Sequence, residues 1–448
     1  MSNPTVAVLF GGRSVEHEVS VISGHQVMDA LDQAGYPILP IYITKQGDWY
    51  AGEGLRNLDL YREQTFHAAG LKNVFRVSLS PDRSVRQLLV HPSASGGLLG
   101  GKSPKLWADV FFPVLHGSHG EDGSMQGLFE LADVPYAGSG VLASAIGMDK
   151  VRQKRVLAQA GIPVLDCVEI SRAEWDADSA AAVARVEARV AGGVAAASPY
   201  PAIVKPVCLG SSVGVSRCAN RAELVDALNL ALELDGRALV EEALVDFIEI
   251  NCSVMGPPER ASACEQPMGY EAVLSFDDKY KHGGKKLSGG GGSGAGSGAS
   301  TSRGAAAGAA PSQSGGAAAT AAAGAAPSQS AAPSQSAAPN SGMAGQRRQV
   351  PAQIGDELTA QVQGLAVSAF RAIGASGVVR VDFLYQASKK RLLLNEINTL
   401  PGSLSYYLWE EDGLRFDQLV RALVEIAVAR HEEKRATVYS FAANLLTR

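Results

Sequence analysis

The sequence has no run of apolar residues as long as a membrane span, so it predicts no transmembrane helix. Basic residues are not in excess: the formal net charge is -5 and the pI is near 6.0. A nucleic-acid partner would need a basic face, so we expect none. The opening residues, MSNPTVAVLFGG, lack the basic region and cleavage site of a signal peptide. These absences together predict a cytoplasmic protein.

Cysteine is scarce, and its spacing shows no CxxC pair. We interpret the five cysteines as free thiols in a reducing compartment: Cys167, Cys208, Cys218, Cys252 and Cys264. The remaining composition, 46% hydrophobic and 19% charged, is that of an ordinary soluble globular protein. A chain of 448 residues is too long for one compact core, so we expect two or three domains.

The first 140 residues predict an α/β domain. Residues 5–10 form an apolar, β-branched run that ends at two glycines, as a buried parallel strand does before a turn. Apolar residues at helical spacing follow over residues 14–31, and residues 38–43 resemble a second strand. This β-α-β order predicts a parallel sheet covered by helices. Residues 108–117 indicate another buried strand that ends in a glycine turn.

The low-complexity segment at residues 288–342 interrupts the later part of the chain. It consists almost entirely of Ala, Gly, Ser, Pro and Gln, and Arg303 is its one charged residue. Because this composition cannot bury a core, we predict a long disordered insertion. Strand and helix patterns resume on both sides, so the insertion lies inside a domain. A longer loop adds only about 0.6 kcal/mol per doubling of its length, which makes such an insertion tolerable.

Two strand-like runs near the end carry polar residues where an apolar face is expected. Residues 378–385 alternate, which places Arg380 and Asp382 on one face. Residues 392–398 follow a polar turn and place Glu396 and Asn398 on one face. A hairpin would bring the four together as two carboxylates, an amide oxygen and a cation, which suits a Mg²⁺ site with an anion stabiliser. The competing interpretation is a solvated hairpin face with incidental ion pairs.

Lysines near glycine-rich turns suggest phosphate binding. Lys205 ends an apolar strand just before a Gly/Ser loop at residues 210–214, where backbone N–H groups can cover phosphate oxygens. Lys150, near the start of a helix at residues 148–161, is a second candidate, although a solvated lysine is the ordinary interpretation of such a position. Lys279 is ambiguous on its own. The GxxxxGK phosphate-binding loop is absent.

Acidic and histidine side chains follow two of the predicted strand ends, where open α/β sheets bind ligands. Spacing alone does not choose between Glu16 and Glu18, and either residue could instead stabilise a helix start. His116 and Glu121 are polar groups just past another strand end.

Eight segments, taken in order, resemble the D-alanine–D-alanine ligases of the ATP-grasp superfamily. They are FGGRSVEHEVS, LHGSHGEDGSMQG, YAGSGVLASAIGMDK, IVKPVCLGSSVGV, IEINCSV, SFDDKY, GVVRVDF and LLNEINTLPGS. The resemblance covers nearly the whole chain outside the insertion. It implies a three-domain ATP-grasp fold: a doubly wound parallel-sheet domain at residues 1–140, a central subdomain at 141–240, and a C-terminal subdomain at 241–448 that carries the insertion.

The resemblance also implies a reaction and its cofactors. In this family, ATP phosphorylates the carboxylate of one D-alanine, and the amine of a second D-alanine displaces phosphate from the acyl phosphate. The product, D-alanyl-D-alanine, is a peptidoglycan precursor. Two Mg²⁺ ions are expected, with Mn²⁺ as a possible replacement, and the family commonly forms homodimers.

Residue roles transfer by motif. The resemblance implies that Glu16 binds the ammonium of the first D-alanine, beside a hydrogen-bonded trio that Glu16 forms with Ser211 and Tyr280. The implied nucleotide-binding residues are Lys150, Lys205, Glu241, Leu244, Glu249 and Lys279. The implied metal ligands are Asp382, Glu396 and Asn398. Arg380 and the Gly402 N–H are implied to stabilise the oxyanion, and His116 is expected to contact substrate.

The residues leave the identity of the acceptor open. Tyr280 matches ligases that form peptides rather than esters, which favours an amine acceptor. Tyr407 stands where the family often has a serine that contacts the second substrate, and Ser405 is a possible substitute. D-serine is therefore a second candidate acceptor beside D-alanine. A different ATP-grasp carboxylate–amine ligase, or a non-catalytic regulator that binds ATP or an amino acid, would also be consistent with part of this pattern.

Overall fold

Three β-sheets and ten α-helices organise the part of the chain that the computed structural model describes. The described residues are 3–62, 66–68, 70–91, 104–191, 198–268 and 347–439. Lys279, Tyr280 and the predicted insertion at 288–342 lie outside these ranges. Within these ranges no helix is long and apolar enough to cross a membrane.

The first sheet has six strands in the order β5-β4-β3-β2-β1-β6. The strands are β1 (Val6–Gly11), β2 (Ile38–Ile43), β3 (Trp49–Ala51), β4 (Phe75–Ser78), β5 (Leu89–Val90) and β6 (Val110–Pro113). Strand β1 pairs in parallel with both of its neighbours, β2 and β6, as the β-α-β pattern predicts. The three short strands β3, β4 and β5 extend the sheet with antiparallel pairing, which the sequence pattern did not predict.

The second sheet is antiparallel, with four strands in the order β7-β10-β8-β9. These strands are β7 (Cys167–Ser171), β8 (Ala202–Pro206), β9 (Ser216–Cys218) and β10 (Arg237–Glu242). Helices α6 (Ser179–Ala191) and α7 (Arg221–Leu234) cover one face of this sheet. Helix α7 begins where the Asn220 side chain caps it by accepting the Glu223 N–H.

The third sheet is also antiparallel, with five strands in the order β13-β12-β11-β14-β15. These strands are β11 (Ile248–Gly256), β12 (Arg260–Pro267), β13 (Arg348–Gln349), β14 (Gly377–Gln386) and β15 (Arg391–Asn398). Hairpin β14–β15 is the one predicted from residues 378–398, and it forms the end of the sheet nearest the candidate site. Helix α8 (Asp356–Ala372) covers this sheet and buries Phe370 in the same core as Phe383.

The remaining helices connect these layers. They are α1 (His17–Gln33), α2 (Ser124–Ala132), α3 (Val141–Met148), α4 (Lys150–Gln159), α5 (Arg172–Ala177), α9 (Tyr406–Glu410) and α10 (Phe416–Arg435). Single 3-10 turns occur at Glu53–Arg56, Leu58–Tyr61, Ala387–Lys389 and Gly402–Ser405. Helix α10 packs against α1, and Leu419 and Leu423 share a core with Val27 and Leu31. Burying each such side chain contributes about 1.5–3 kcal/mol to the stability of the fold, so this contact fixes α10 against α1.

Candidate active site

Glu16 lies at the turn between β1 and α1, at the carboxyl end of a parallel strand. Its side chain is 7% exposed, and Ser211 Oγ donates a hydrogen bond to its carboxylate. A Cβ on Gly210, in the β8–β9 loop, would lie 2.7 Å from Glu16 Oε2 and would force this carboxylate to shift. Glu18, in contrast, lies on the exposed side and pairs with Lys45. Glu16, and not Glu18, therefore lines the cavity that His116 and Arg380 also line, whereas Glu18 lines a separate cavity beside Tyr42.

Glu121 connects the turn after β6, in the first sheet, to the loop after β15. Its two carboxylate oxygens accept the Gly117 N–H at 2.6 Å and the Leu400 N–H at 3.2 Å. Burial, and then the charge of Glu16, raise the pKa of Glu121 to about 8. From the sequence, Glu121 is only a polar group past a strand end, because no spacing rule indicates that it lies beside Glu16.

His116 lies behind the same cavity and is 4% exposed. Its Nε2 forms a 3.1 Å hydrogen bond with Ser23 Oγ, and Ser23 also accepts the Ser403 N–H at 3.2 Å. Burial lowers the pKa of His116 to about 4, so the imidazole is neutral at physiological pH. Besides lining the cavity, His116 thus supports the loop that follows Gly402.

The β14–β15 hairpin brings together the four polar residues predicted from its alternation. In the strand register, Arg380 faces Asn398 and Asp382 faces Glu396. Arg380 donates to both oxygens of Asp382, at 2.6 and 2.7 Å, and Asn398 Nδ2 donates to Asp382 Oδ2 at 3.1 Å. Burial opposes the charge of Arg380, but Asp382 raises its pKa. The interpretation as a solvated face is wrong, because Arg380 and Asp382 are 8% and 2% exposed.

A β-bulge interrupts the hairpin register at Asn395. An extra residue in one strand changes which side chains share a face. Asn395 consequently lines the nucleotide-sized cavity described below, together with Glu396, and its Oδ1 accepts from Lys205 Nζ at 3.3 Å. Sequence alternation alone does not predict this bulge.

These side chains line a first cavity of about 760 Å³ including its open mouth. Its lining includes eight of the predicted site residues: Glu16, His116, Lys150, Ser211, Arg380, Glu396, Asn398 and Gly402. Lys150 lies at the start of α4, where Asp149 caps the helix, and its Nζ donates to the Leu209 carbonyl at 2.7 Å.

A second cavity of about 940 Å³ lies between the second and third sheets. Its predicted lining residues are Lys150, Lys205, Ser211, Glu241, Leu244, Glu249 and Glu396. Its apolar wall comes from a small cluster that contains Leu165, Leu244, Leu384 and Phe247. Lys150, Ser211 and Glu396 line both cavities, so the two spaces meet at these side chains.

Buried charges dominate the inner end of this second cavity. Glu241 is 2% exposed and pairs with Lys205 Nζ at 2.5 Å and with Lys154 Nζ at 3.0 Å. Burial alone would raise the pKa of Glu241, but the two lysines lower it to about 2. Burial likewise opposes the charge of Lys205, while Glu241 raises its pKa. Lys154 was not predicted from the sequence. Its spacing of three residues from both Val151 and Leu157 places it on the buried face of α4, and this spacing could have indicated a buried lysine that needs a partner.

Two predicted substrate contacts have other surroundings. Within the described ranges, neither Ser405 nor Tyr407 is among the residues that line these two cavities. The Tyr407 hydroxyl donates to Glu265 Oε1 at 3.2 Å, and Arg348 lies 3.8 Å from the centre of its ring. Burial, and then Glu265, raise the pKa of Tyr407 to about 12. Ser405 is fully buried in a left-handed backbone conformation with a φ of 50°.

A nucleotide-sized cavity between two antiparallel sheets, beside a polar cavity closed by an α/β layer, defines a protein of the ATP-grasp class. Comparison with known families then makes the assignment specific. The family description "D-ala D-ala ligase N-terminus" matches residues 5–139. The description "D-ala D-ala ligase C-terminus" matches residues 156–288 and 338–425, so its gap falls in the low-complexity segment.

Relatives and solved structures agree with this match. D-alanine–D-alanine ligases from Heliobacterium modesticaldum and Chloroherpeton thalassium are 34% and 32% identical, over 97% of this chain and 97% and 99% of their own lengths. The structure of the D-alanine–D-alanine ligase from Coxiella burnetii superposes with a TM-score of 0.68 at 25% identity, over 97% of each chain. The VanG D-Ala:D-Ser ligase from Enterococcus faecalis gives a TM-score of 0.67 at 27% identity, over 95% of this chain and 100% of that one. The chain belongs to the D-alanine–D-alanine ligase family.

Proposed function

We propose that this chain catalyses the ATP-dependent ligation of two D-alanines to D-alanyl-D-alanine, for peptidoglycan precursor synthesis. The observation that carries this proposal is the pair of joined cavities. A carboxylate suited to an ammonium, Glu16, and a guanidinium suited to an oxyanion, Arg380, line one cavity. That cavity shares Lys150 and Glu396 with a nucleotide-sized cavity, so a substrate carboxylate could meet a terminal phosphate there.

The first D-alanine would bind with its ammonium against Glu16. Ser211 donates to Glu16 and fixes the orientation of that carboxylate. The neighbouring Glu121, with its pKa near 8, is largely protonated at neutral pH and does not add a second full negative charge. Held in this way, the D-alanine carboxylate can attack the γ-phosphorus of ATP, which releases ADP and forms an acyl phosphate.

The amine of the second D-alanine would then attack the acyl carbonyl, and phosphate would leave. Negative charge develops on the carbonyl oxygen, where Arg380 and the Gly402 N–H are the proposed donors. Both residues line the first cavity. Tyr280, the third member of the proposed Glu16 trio, lies outside the described residues.

The nucleotide would occupy the second cavity. Lys150 and Lys205 would contact its phosphates, and Leu244 would contribute to the apolar wall against the adenine. Glu249 lines the same cavity and is the proposed partner of the ribose hydroxyls. The Glu241 carboxylate is already shared by two lysines, so any contact with the adenine would be an additional one. Lys279 lies outside the described residues.

The donor set at the hairpin fits Mg²⁺. Glu396 and Asn398 line the first cavity and offer hard oxygen ligands next to the place proposed for the phosphates. Asp382, the third proposed ligand, faces Glu396 in the strand register, but among the residues that the structure describes it lines neither cavity, and both of its oxygens accept from Arg380. In the described ranges, no group of three or more His, Cys, Asp or Glu side chains is arranged to hold a metal ion. Two carboxylates and an amide therefore suit ions that keep phosphate and water as further ligands, here two Mg²⁺ or Mn²⁺ ions. When bound, such ions would neutralise charge on the phosphates.

D-serine is the second candidate acceptor. The observation in its favour is Tyr407, whose hydroxyl is directed to Glu265 and which does not line either cavity in the described part of the chain. The serine contact common in the family is therefore not reproduced by Tyr407 in this arrangement. We keep a cytoplasmic location and a homodimer as predictions of family membership, and sedimentation velocity would test the dimer.

The deciding experiment measures phosphate release from Mg·ATP, with the products separated. The amino acid additions are D-alanine, L-alanine, D-alanine with D-serine, and D-alanine with D-lactate. Phosphate release with D-alanine alone, together with D-alanyl-D-alanine as product, is the expected result. Preferential formation of D-alanyl-D-serine would assign the D-serine acceptor. ATP binding without phosphate release under any condition would refute the ligase and favour a regulator.

A further inference from the structure

Gln153 is a buried glutamine on α4 that no motif singled out, and it is 1% exposed. Its side-chain amide contacts the main chain of Ile397, which is 244 residues away in the sequence. Gln153 Oε1 accepts the Ile397 N–H at 3.0 Å, and Gln153 Nε2 donates to the Ile397 carbonyl at 3.1 Å. The same Nε2 also donates to the Gly147 carbonyl at 2.8 Å.

The position of Ile397 makes this contact notable. Ile397 lies between Glu396 and Asn398, two of the three proposed metal ligands, and its own side chain is 2% exposed in the core. Because side chains alternate along a strand, fixing the Ile397 backbone with its side chain in the core fixes both neighbours toward the cavity.

Strand β15 is also the last strand of its sheet, so one of its edges lacks a neighbouring strand. Pro163 contacts this edge at Leu394, through a 2.8 Å hydrogen bond from the Leu394 N–H. Beyond Leu394 the bulge breaks the regular register. Gln153 supplies both the acceptor and the donor that an adjacent strand would otherwise present to Ile397.

We propose that Gln153 is a positioning residue for the metal-binding end of β15. By bonding the Ile397 backbone at the free edge of β15, it keeps the oxygens of Glu396 and Asn398 oriented for a divalent cation. The inference rests on the proposed function for the role of Glu396 and Asn398 as metal ligands, but the contact between Gln153 and Ile397 does not depend on it. Partners of metal ligands typically change metal affinity by about 10- to 100-fold when removed. We expect the lower end of that range, because Gln153 acts through the main chain.

The test compares Gln153→Met with Gln363→Met. Gln363 is a half-buried glutamine on α8 that donates to the Ser262 carbonyl at 2.9 Å and lines neither of the two cavities. Both changes remove a glutamine amide that bonds the main chain, so the pair controls for a general loss of stability. Gln153→Asn is a second variant: it retains an amide but is one methylene too short to reach both Ile397 groups.

Two readouts separate positioning from folding. Electron paramagnetic resonance of Mn²⁺ in the presence of ADP measures metal affinity without turnover, and the half-saturating free Mg²⁺ for phosphate release measures it during turnover. We expect Gln153→Met to weaken both by about tenfold, and Gln153→Asn to weaken both in the same direction. Gln363→Met should match wild type. In both Gln153 variants the KM for D-alanine should change less than the Mg²⁺ requirement.

Equal Mn²⁺ affinity in folded Gln153→Asn and wild-type protein would overturn the proposal. So would a Gln153→Met effect no larger than that of Gln363→Met. If wild-type protein releases no phosphate, the proposed function fails, and the Mn²⁺ arm still decides the role of Gln153.

Discussion

Replacing Lys154 with methionine tests how much the buried ion pair between Lys154 and Glu241, beside the second cavity, contributes to stability. Lys154 and Glu241 are 4% and 2% exposed, with 3.0 Å between Nζ and Oε2. At this distance the attraction is about 5–6 kcal/mol for an effective dielectric constant of about 20. Methionine retains most of the shape of the side chain and removes its charge.

The net cost is smaller than that attraction. Lys154→Met no longer has to desolvate an ammonium, and Glu241 keeps Lys205 as a partner. The pKa of Glu241 indicates the same order of magnitude: its fall from the ordinary 4.5 to about 2 corresponds to about 3 kcal/mol, which is what both lysines contribute after burial is offset. We therefore expect Lys154→Met to lower the free energy of unfolding by about 2–3 kcal/mol at neutral pH.

The pH dependence has a definite sign. A carboxylate whose pKa is lowered by folding contributes stability above its unfolded pKa, and this contribution is lost as the pH falls through the folded value. Glu241 therefore stabilises wild-type protein fully above about pH 4.5 and progressively less toward about pH 2. The difference between wild type and Lys154→Met should be largest at neutral pH and should shrink below about pH 4.

Urea unfolding followed by tryptophan fluorescence measures the effect, with Arg152→Met as the matched control. Arg152 is on the same helix, 45% exposed at its side chain, and pairs with Glu169. An exposed pair of this kind contributes about 0–1 kcal/mol. Equal destabilisation by the two changes at neutral pH, or a difference that does not vary with pH, would refute the reasoning.

Three further predictions concern the first cavity and the insertion. Glu16→Gln should raise the KM for D-alanine by about tenfold or more, whereas Glu18→Gln should leave it unchanged, because only Glu16 lines the cavity. Burial and Glu16 hold the pKa of Glu121 near 8, so an ammonium that binds beside Glu121 should displace its proton below that pH. The affinity for D-alanine should therefore rise with pH toward 8. Calorimetry in buffers of different ionisation enthalpy measures the number of protons released. Replacing residues 289–341 with a few glycines should keep turnover within several-fold, since low-complexity sequence buries no core; a large loss in steady-state assays would give the segment a functional role.

Strand alternation was sufficient to predict the polar face of hairpin β14–β15, because side chains two residues apart share a face whatever the rest of the fold does. It placed Arg380 and Asp382 on one face and Glu396 and Asn398 on one face, and in the hairpin register Arg380 lies opposite Asn398 and Asp382 opposite Glu396. It could not predict the bulge at Asn395, since an extra residue leaves no mark on a pattern of period two. The short antiparallel strands β3, β4 and β5 were missed for a related reason: runs of two to four residues are too short to show a period.

Helix periodicity has a complementary limit. It predicts which face of a helix is buried but not what that face contacts. Gln153 and Lys154 occupy the buried face of α4 together with Val151 and Leu157, and their polarity at such positions indicates that partners must exist. The partners, Ile397 and Glu241, lie in strands that only the tertiary fold brings to the helix.

Glycines show how a single residue type carries two kinds of information. Gly117 adopts a φ of +77°, so a turn is one sufficient reason for glycine there. A Cβ on Gly117 would also lie 2.8 Å from Glu16 Oε2, and a Cβ on Gly210 would lie 2.7 Å from the same oxygen. Gly210 does not need a positive φ, so its reason is proximity alone. A side chain at either position would therefore displace the Glu16 carboxylate from the place where the two loops enclose it. The sequence records these glycines as turn residues, and the fold shows that they determine how tightly Glu16 is enclosed.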